Sequence, residues 1–383
     1  MTRLHDALTE IAGDAPMVNL ADRAISGSRR RRRTNAILAA AATALVAVLG
    51  TGVGTGLLPS PLSRSIAASQ HGPYWWEIAS SPLPDRGVTS LSYAYLTSCE
   101  SAAPPKCKGR TWRVVTRDGK TYDVPQAAGS SGSATAPLTI TPDGRTMAYY
   151  SRQEQTFKVR DLKSGKELTA PMKVPPRQLD TETFLRLSDN GRYLAFTAFR
   201  GDNQPGLLVD MRNGGTSTLP AGWMPVSIAD DGDPAVMVNW KDTSSQILLM
   251  SPGNRKHTVT IPRWSQEFSA LAPDKHTMAE IGMDTKTRPI KQDGTLLVFD
   301  AVSGKVTAKV AARGLPEDTV MLRLGNWLND TEVVVLTIPS SEPPSREDSR
   351  TAYAMNIKTG QVRKLQTYQV PGAYLTVVPG IVW

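Results

Sequence analysis

Leu138-Thr-Ile-Thr-Pro-Asp-Gly-Arg-Thr-Met-Ala-Tyr-Tyr150 is the stretch that decides how this chain folds. Two short apolar runs flank Pro-Asp-Gly-Arg. Asp-Gly tolerates the positive φ that a tight reversal between neighbouring strands requires. The stretch therefore predicts an antiparallel hairpin. It continues as Phe157-Lys-Val-Arg-Asp-Leu-Lys-Ser-Gly-Lys-Glu-Leu168, a third strand, a Gly turn and a fourth strand.

The same order recurs along the chain. Leu185-Arg-Leu-Ser-Asp-Asn-Gly-Arg-Tyr-Leu-Ala-Phe196 leads to Leu207-Leu-Val-Asp-Met-Arg-Asn-Gly-Gly215. A third copy runs from Val226-Ser-Ile-Ala-Asp-Asp-Gly232 through Ile247 to the turn at Gly253. A fourth has Ala270-Leu-Ala-Pro-Asp-Lys-His276 and ends at Gly304, and a fifth spans Trp327-Leu-Asn-Asp-Thr331 to Gly360. Trp112-Arg-Val-Val-Thr-Arg-Asp-Gly119 is a degenerate first copy. The late Gly turns at 119, 165, 214, 253, 304 and 360 lie 39 to 56 residues apart. A period of roughly 40–50 residues with four strands per unit is the signature of propeller blades. Each blade packs between two others, so its strands can be apolar on both faces.

These copies resemble the TolB-type, WD-repeat-like propeller motif, whose core is Ser/Thr-Pro-Asp-Gly-Arg/Lys before an apolar strand. They lack the Gly-His…Trp-Asp signature of true WD repeats. The arrangement with its N-terminal segment also resembles actinobacterial membrane proteins of this kind. The resemblance implies a fold and often a binding role, and no activity. The expected fold is all-β: a β-propeller of six four-stranded blades at about 74–126, 137–175, 183–220, 222–262, 267–312 and 318–367. A seventh blade built from both ends is the alternative. Tyr374-Leu-Thr-Val-Val378 is expected to pair with the strand near Trp75 and close the ring.

The N-terminal part differs in character. Arg29, Arg30, Arg31, Arg32 and Arg33 precede the uncharged run Asn35–Leu58. At about 1.5 Å per residue this run spans a bilayer core of about 30 Å. The arginines hold the preceding residues on the cytoplasmic side. The expected layout is a tail at 1–33, a transmembrane helix at 34–58, a linker at 59–73 and an extracytoplasmic propeller at 74–383. A cleaved export signal fits less well, because its lead would be unusually long and no Ala-x-Ala site follows closely. Leu4, Leu8 and Ile11 fall at helical spacing, but a helix so short is marginal in water.

Of the net charge of +9, the +6 that lies after residue 58 is spread thinly, and no dense basic run appears there. Nucleic-acid binding, which needs clustered phosphate contacts, is not expected. Cys99 and Cys107 are the only cysteines. Outside the membrane they predict a disulfide across a small exposed loop, stabilising by about 2–3 kcal/mol.

Motifs of established chemistry are absent: no Gly-x-Ser-x-Gly, no His-Glu-x-x-His and no Walker loop. No cofactor or metal is expected. Asp230-Asp-Gly-Asp233 lacks the spaced oxygens of a calcium loop and reads as a turn. His5 and His71 precede the repeats, and His257 and His276 read as solvated turn residues. The ligand-binding candidates sit where the chain enters the inner strands: Asp180, Glu182, Trp223, Trp264 and Glu267. Carboxylates with indole rings suit a sugar, a cationic group or a peptide. The expected role is a membrane-tethered module that binds a protein or glycan ligand in the envelope. A hydrolase or lyase with a carboxylate site at the channel mouth is the alternative, and a transmembrane signalling partner is a third reading.

Overall fold

A computed structural model of the chain describes residues 75–97, 109–131, 134–179, 183–198, 205–251, 255–265, 267–284, 291–340, 349–368 and 375–381. The predicted tail, transmembrane helix, linker, five-arginine run and both cysteines lie outside them, as do Asp180 and Glu182. Among the described residues no helix is long and apolar enough to cross a membrane.

These residues are all-β, with one 3-10 turn at Pro176–Gln178. Most strands pair antiparallel in chain order, each with the one that follows. Thr183–Leu187, Tyr193–Ala198, Gly206–Asp210 and Thr216–Leu219 form one four-stranded sheet. Sheets of the same kind span 224–261 and 319–368. In every such sheet the first strand is more buried than the last. Met224–Ile228 is almost wholly covered, whereas Val362–Tyr368 faces solvent along most of its length. That gradient is radial: first strands line an axis and fourth strands form the rim.

The apolar layers between sheets trace a closed circuit. Val114 and Trp112 pack on Met147 and Tyr149. Tyr150 and Phe157 pack on Leu185 and Phe196, and Ala195 and Leu219 on Ile228 and Met237. Val236 and Val259 meet Met278 and Phe299, and Ile281 and Leu296 meet Trp327 and Val335. Val334 and Leu336 finally meet Val378, Ile381 and Tyr93, which returns the circuit to its start. Sheets packed face to face around an axis make a β-propeller.

The repeat turns follow from their residues. Asp300 Oδ1 accepts from Ser303 N at 2.6 Å and from Ser303 Oγ at 2.7 Å, and these donors hold its carboxyl below the ordinary range. Asp161 and Ser164 repeat the arrangement. Glycine then closes the turn. Gly165 has φ +75°, and a Cβ there would lie 1.9 Å from Asp85 O, so no other residue fits.

Three expectations need correction. The first two ladders, 91–128 and 138–169, are joined by the pair Ala127↔Ser151 into one nine-stranded sheet that also takes in strands 81–82 and 375–377. The expectation of separate four-stranded units fails there because Thr121–Ala128 runs long enough to reach its neighbour. Secondly, the 277–311 sheet has three strands. Where a first strand would lie, Phe268↔Glu280 is an isolated bridge. Its cause is Ser269, whose Oγ accepts from Ala279 N at 2.9 Å and so replaces a ladder carbonyl. Thirdly, Leu375–Val377 pairs with Leu91–Leu96, through Ala94↔Val377, and not with residues near Trp75. Trp75 instead packs against Tyr95 and Val115. Its carbonyl accepts from Arg113 Nη1 at 2.7 Å.

Candidate ligand pocket at the axial mouth

The turns after the first strands share a four-residue signature. It reads Thr141-Pro-Asp-Gly144, Ser188-Asp-Asn-Gly191, Ala229-Asp-Asp-Gly232 and Ala272-Pro-Asp-Lys275. The third position is consumed by the turn itself. Asp143 Oδ1 accepts from Arg145 N at 2.9 Å, Asn190 Oδ1 from Arg192 N at 2.9 Å, and Asp274 Oδ1 from His276 N at 2.8 Å. The second position is not needed for the reversal. It holds Pro142 and Pro273 in two turns, but Asp189 and Asp230 in the two between.

Those two carboxylates stand at a pocket of about 290 Å³ where the first strands end. Ser227, Lys275, Asn326 and Trp327 also line it, so its walls come from several sheets. Most of these groups are held in place. Ser227 Oγ accepts from Leu271 N at 3.1 Å, and Trp327 Nε1 donates to Ala270 O at 2.8 Å. Lys275 Nζ turns to Asp231 Oδ2 at 3.1 Å and Asp233 O at 2.8 Å. Asp230 Oδ1 accepts from Asn190 N at 2.7 Å.

Arg186 lies close to this mouth. It is 3% exposed, and burial pulls its pKa down to about 10. It stays protonated at neutral pH. Its Nη2 donates to Gly380 O at 3.3 Å, while its Nε has no hydrogen-bond partner among the described residues. Gly380 N donates in turn to Ile140 O at 3.0 Å. A Cβ on Gly380 would lie 2.4 Å from Asn326 Oδ1. The segment through Gly380 therefore links first strands from different parts of the ring.

Asp189 is exposed at the pocket rim, yet neighbouring protein atoms crowd one side of its carboxyl, and that partial desolvation raises its pKa. The like charges of Asp230 and Asp143 add to the rise, and Arg186 opposes it. The native state thus holds this proton more tightly than the unfolded chain. Stability must fall as pH climbs from the ordinary carboxylate range through the raised value, and level off above it. Asp189→Asn removes that decline. Its melting temperature is expected to exceed that of the parent at about pH 7, and the gap to shrink toward about pH 3. A pH-independent gap, or a less stable variant at neutral pH, would contradict this assignment.

Of the sequence-predicted residues that the structure describes, Trp223 and Glu267 precede the first-strand segments, at the end away from the pocket. Trp223 precedes Met224 and packs, half-buried, against the layer containing Ala195 and Leu219. Glu267 precedes Phe268, and its carboxylate is paired with Arg323. Trp264 is half-buried. No hydrogen bond or ring contact joins these three among the described residues. Asp189, Ser227, Asn326 and Arg186 are not among the sequence candidates, and Asp230 reads there only as part of a turn. Their signal was the acid replacing proline in the turn signature, and the arginine inside Leu185-Arg-Leu187. His276 is an exposed turn residue, whereas His257, read from the sequence as a turn residue, lies in the exposed strand Arg255–Ile261 with its Nε2 2.6 Å from Val302 O; no cluster of metal-binding side chains occurs among the described residues.

No protein-family model matches the sequence, and no curated protein matches it either. The fold is similar to solved propellers. TolB from Acinetobacter baumannii aligns at 16% identity over 76% of this chain and 67% of that one, with a TM-score of 0.46. A structure of a nidogen/laminin complex aligns at 8% identity over 75% and 97%, with a TM-score of 0.42. An oligogalacturonate lyase from Vibrio parahaemolyticus aligns at 8% identity over 74% of each chain, with a TM-score of 0.39. Likenesses this distant concern the fold, and propellers host unrelated functions.

Proposed function

We propose that this chain is a membrane-tethered, extracytoplasmic β-propeller that binds an envelope ligand, protein or glycan, at the axial mouth, without transforming it. Counting the two halves of the nine-stranded sheet separately gives it six blades, consistent with the six apolar layers of the circuit. The observation that carries the binding role is the pocket of about 290 Å³ built from side chains of several sheets. Sites that converge in this way from a rigid scaffold are typical of ligand recognition. The tether rests on the arginine run and the uncharged stretch that follows it.

A photoreactive amino acid placed at Ala229, on the pocket wall, tests this reading in cells that make the full-length protein. Irradiation is expected to give discrete adducts at Ala229 and none from Thr258 on the exposed strand Arg255–Ile261. Adducts of equal yield at both positions, or none at either, would remove the binding role.

A further inference from the structure

The proposed binding role leaves the ligand's chemistry open, and the side chains at the mouth narrow it. We infer that the axial mouth recognises a primary ammonium group, with Asp189 as its counter-ion and Asp230 and Asn326 beside it. This inference rests on the binding role and adds the class of ligand.

Four observations support it. Asp189 lines the pocket at its exposed rim and has no hydrogen bond and no ion pair among the described residues. The two cations within reach are spoken for. Lys275 is held by Asp231 and the carbonyl of Asp233, and Arg186 is buried against the carbonyl of Gly380. The carboxylates Asp189 and Asp230 therefore outnumber the one cation beside them, Arg186. An incoming monocation balances that excess.

The remaining polar groups suit a donor-rich ligand. Asn326 is 8% exposed and lines the pocket. Its Nδ2 donates to Trp327 O at 3.2 Å, while its Oδ1 receives no hydrogen bond among the described residues. An ammonium group brings three N–H donors and no acceptor, and the acceptors at this mouth are two carboxylates and an amide oxygen. The pocket volume of about 290 Å³ accommodates the end of a lysine-like chain or one amino sugar.

An ammonium group reaches the envelope from peptides or from amino sugars. Titration calorimetry on the full-length protein separates the two sources. The probes are Nα-acetyl-lysine amide against its uncharged counterpart Nα-acetyl-norleucine amide, and glucosamine against N-acetylglucosamine. At least one ammonium probe is expected to bind about tenfold or more tightly than its uncharged partner, the scale of a charge-assisted hydrogen bond. The preferred pair identifies the source. Asp189→Asn, checked for an unaltered fold by circular dichroism, is expected to erase that preference. Equal binding within both pairs, binding of neither ammonium, or a preference that survives Asp189→Asn would each overturn the inference. If adducts at Ala229 persist alongside such a result, the ligand class is wrong and the binding role stands. If the adducts are also missing, both fall.

Discussion

Ending the chain at Ala373 is expected to abolish the cooperative unfolding transition of the propeller. The deletion removes Leu375–Val377, the strand that completes the first ladder against Leu91–Leu96. It also removes Val377, Val378 and Ile381, which are all essentially buried. Burying each such side chain stabilises by about 1.5–3 kcal/mol, so the loss is of order 5–8 kcal/mol. A domain's whole stability is commonly about 5–15 kcal/mol. Backbone partners go too: Arg350 Nη1 loses Thr376 O at 2.9 Å, and Arg186 loses Gly380 O. Differential scanning calorimetry decides the matter. A truncated chain that melts within a few degrees of the intact one would show that the ring does not depend on this strand.

Glu280→Ala is expected to cost about 3–5 kcal/mol, the range for removing one partner of a buried ion pair. Glu280 is fully buried in the 277–311 sheet and is paired with Arg263. Burial raises its carboxyl pKa, while Arg263 and the Ser265 hydroxyl oppose the rise. Truncation leaves the guanidinium of Arg263, held over the ring of Phe299 at 6.0 Å, without its counter-charge. Replacing both residues by methionine removes the two charges together and is expected to be far milder. Urea denaturation at neutral pH gives both values, provided the slope with denaturant is unchanged. A loss below about 1 kcal/mol for Glu280→Ala would mean that Arg263 finds solvent or another acceptor at little cost.

Much of the ring is written in short-range chemistry. Pro142-Asp-Gly144 and Asp189-Asn-Gly191 announce their hairpins because only certain residues tolerate those turns. The late turns at Gly165, Gly304 and Gly360 fall where spacing places them, each with positive φ. What escapes the sequence is decided at longer range. A serine hydroxyl standing in for a ladder carbonyl, as at Ser269, looks like any other strand serine. Fusion of two ladders through Ala127↔Ser151 depends on how far a strand extends.

The pocket was harder to read than the fold. An acid in a turn signature is usually a solvated turn residue, so Asp189 and Asp230 were indistinguishable from Asp143. Asn326 and Trp327 lie on a strand whose register slips between Leu324 and Trp327. Alternation along that strand therefore does not tell which side chain faces the axis. The tryptophans and Glu267 of the entering segments looked functional because indole and carboxylate suit many ligands. Glu267 is instead taken up by Arg323.

The position of Leu375–Val377 has a consequence for biosynthesis. Among the described strands this one is made last, so the nascent chain carries Leu91–Leu96 with one bare edge until it emerges. Unsatisfied edges of that kind recruit wrong partners. Residues 375–377 must therefore be made before that edge is capped, and the circle latches shut only then.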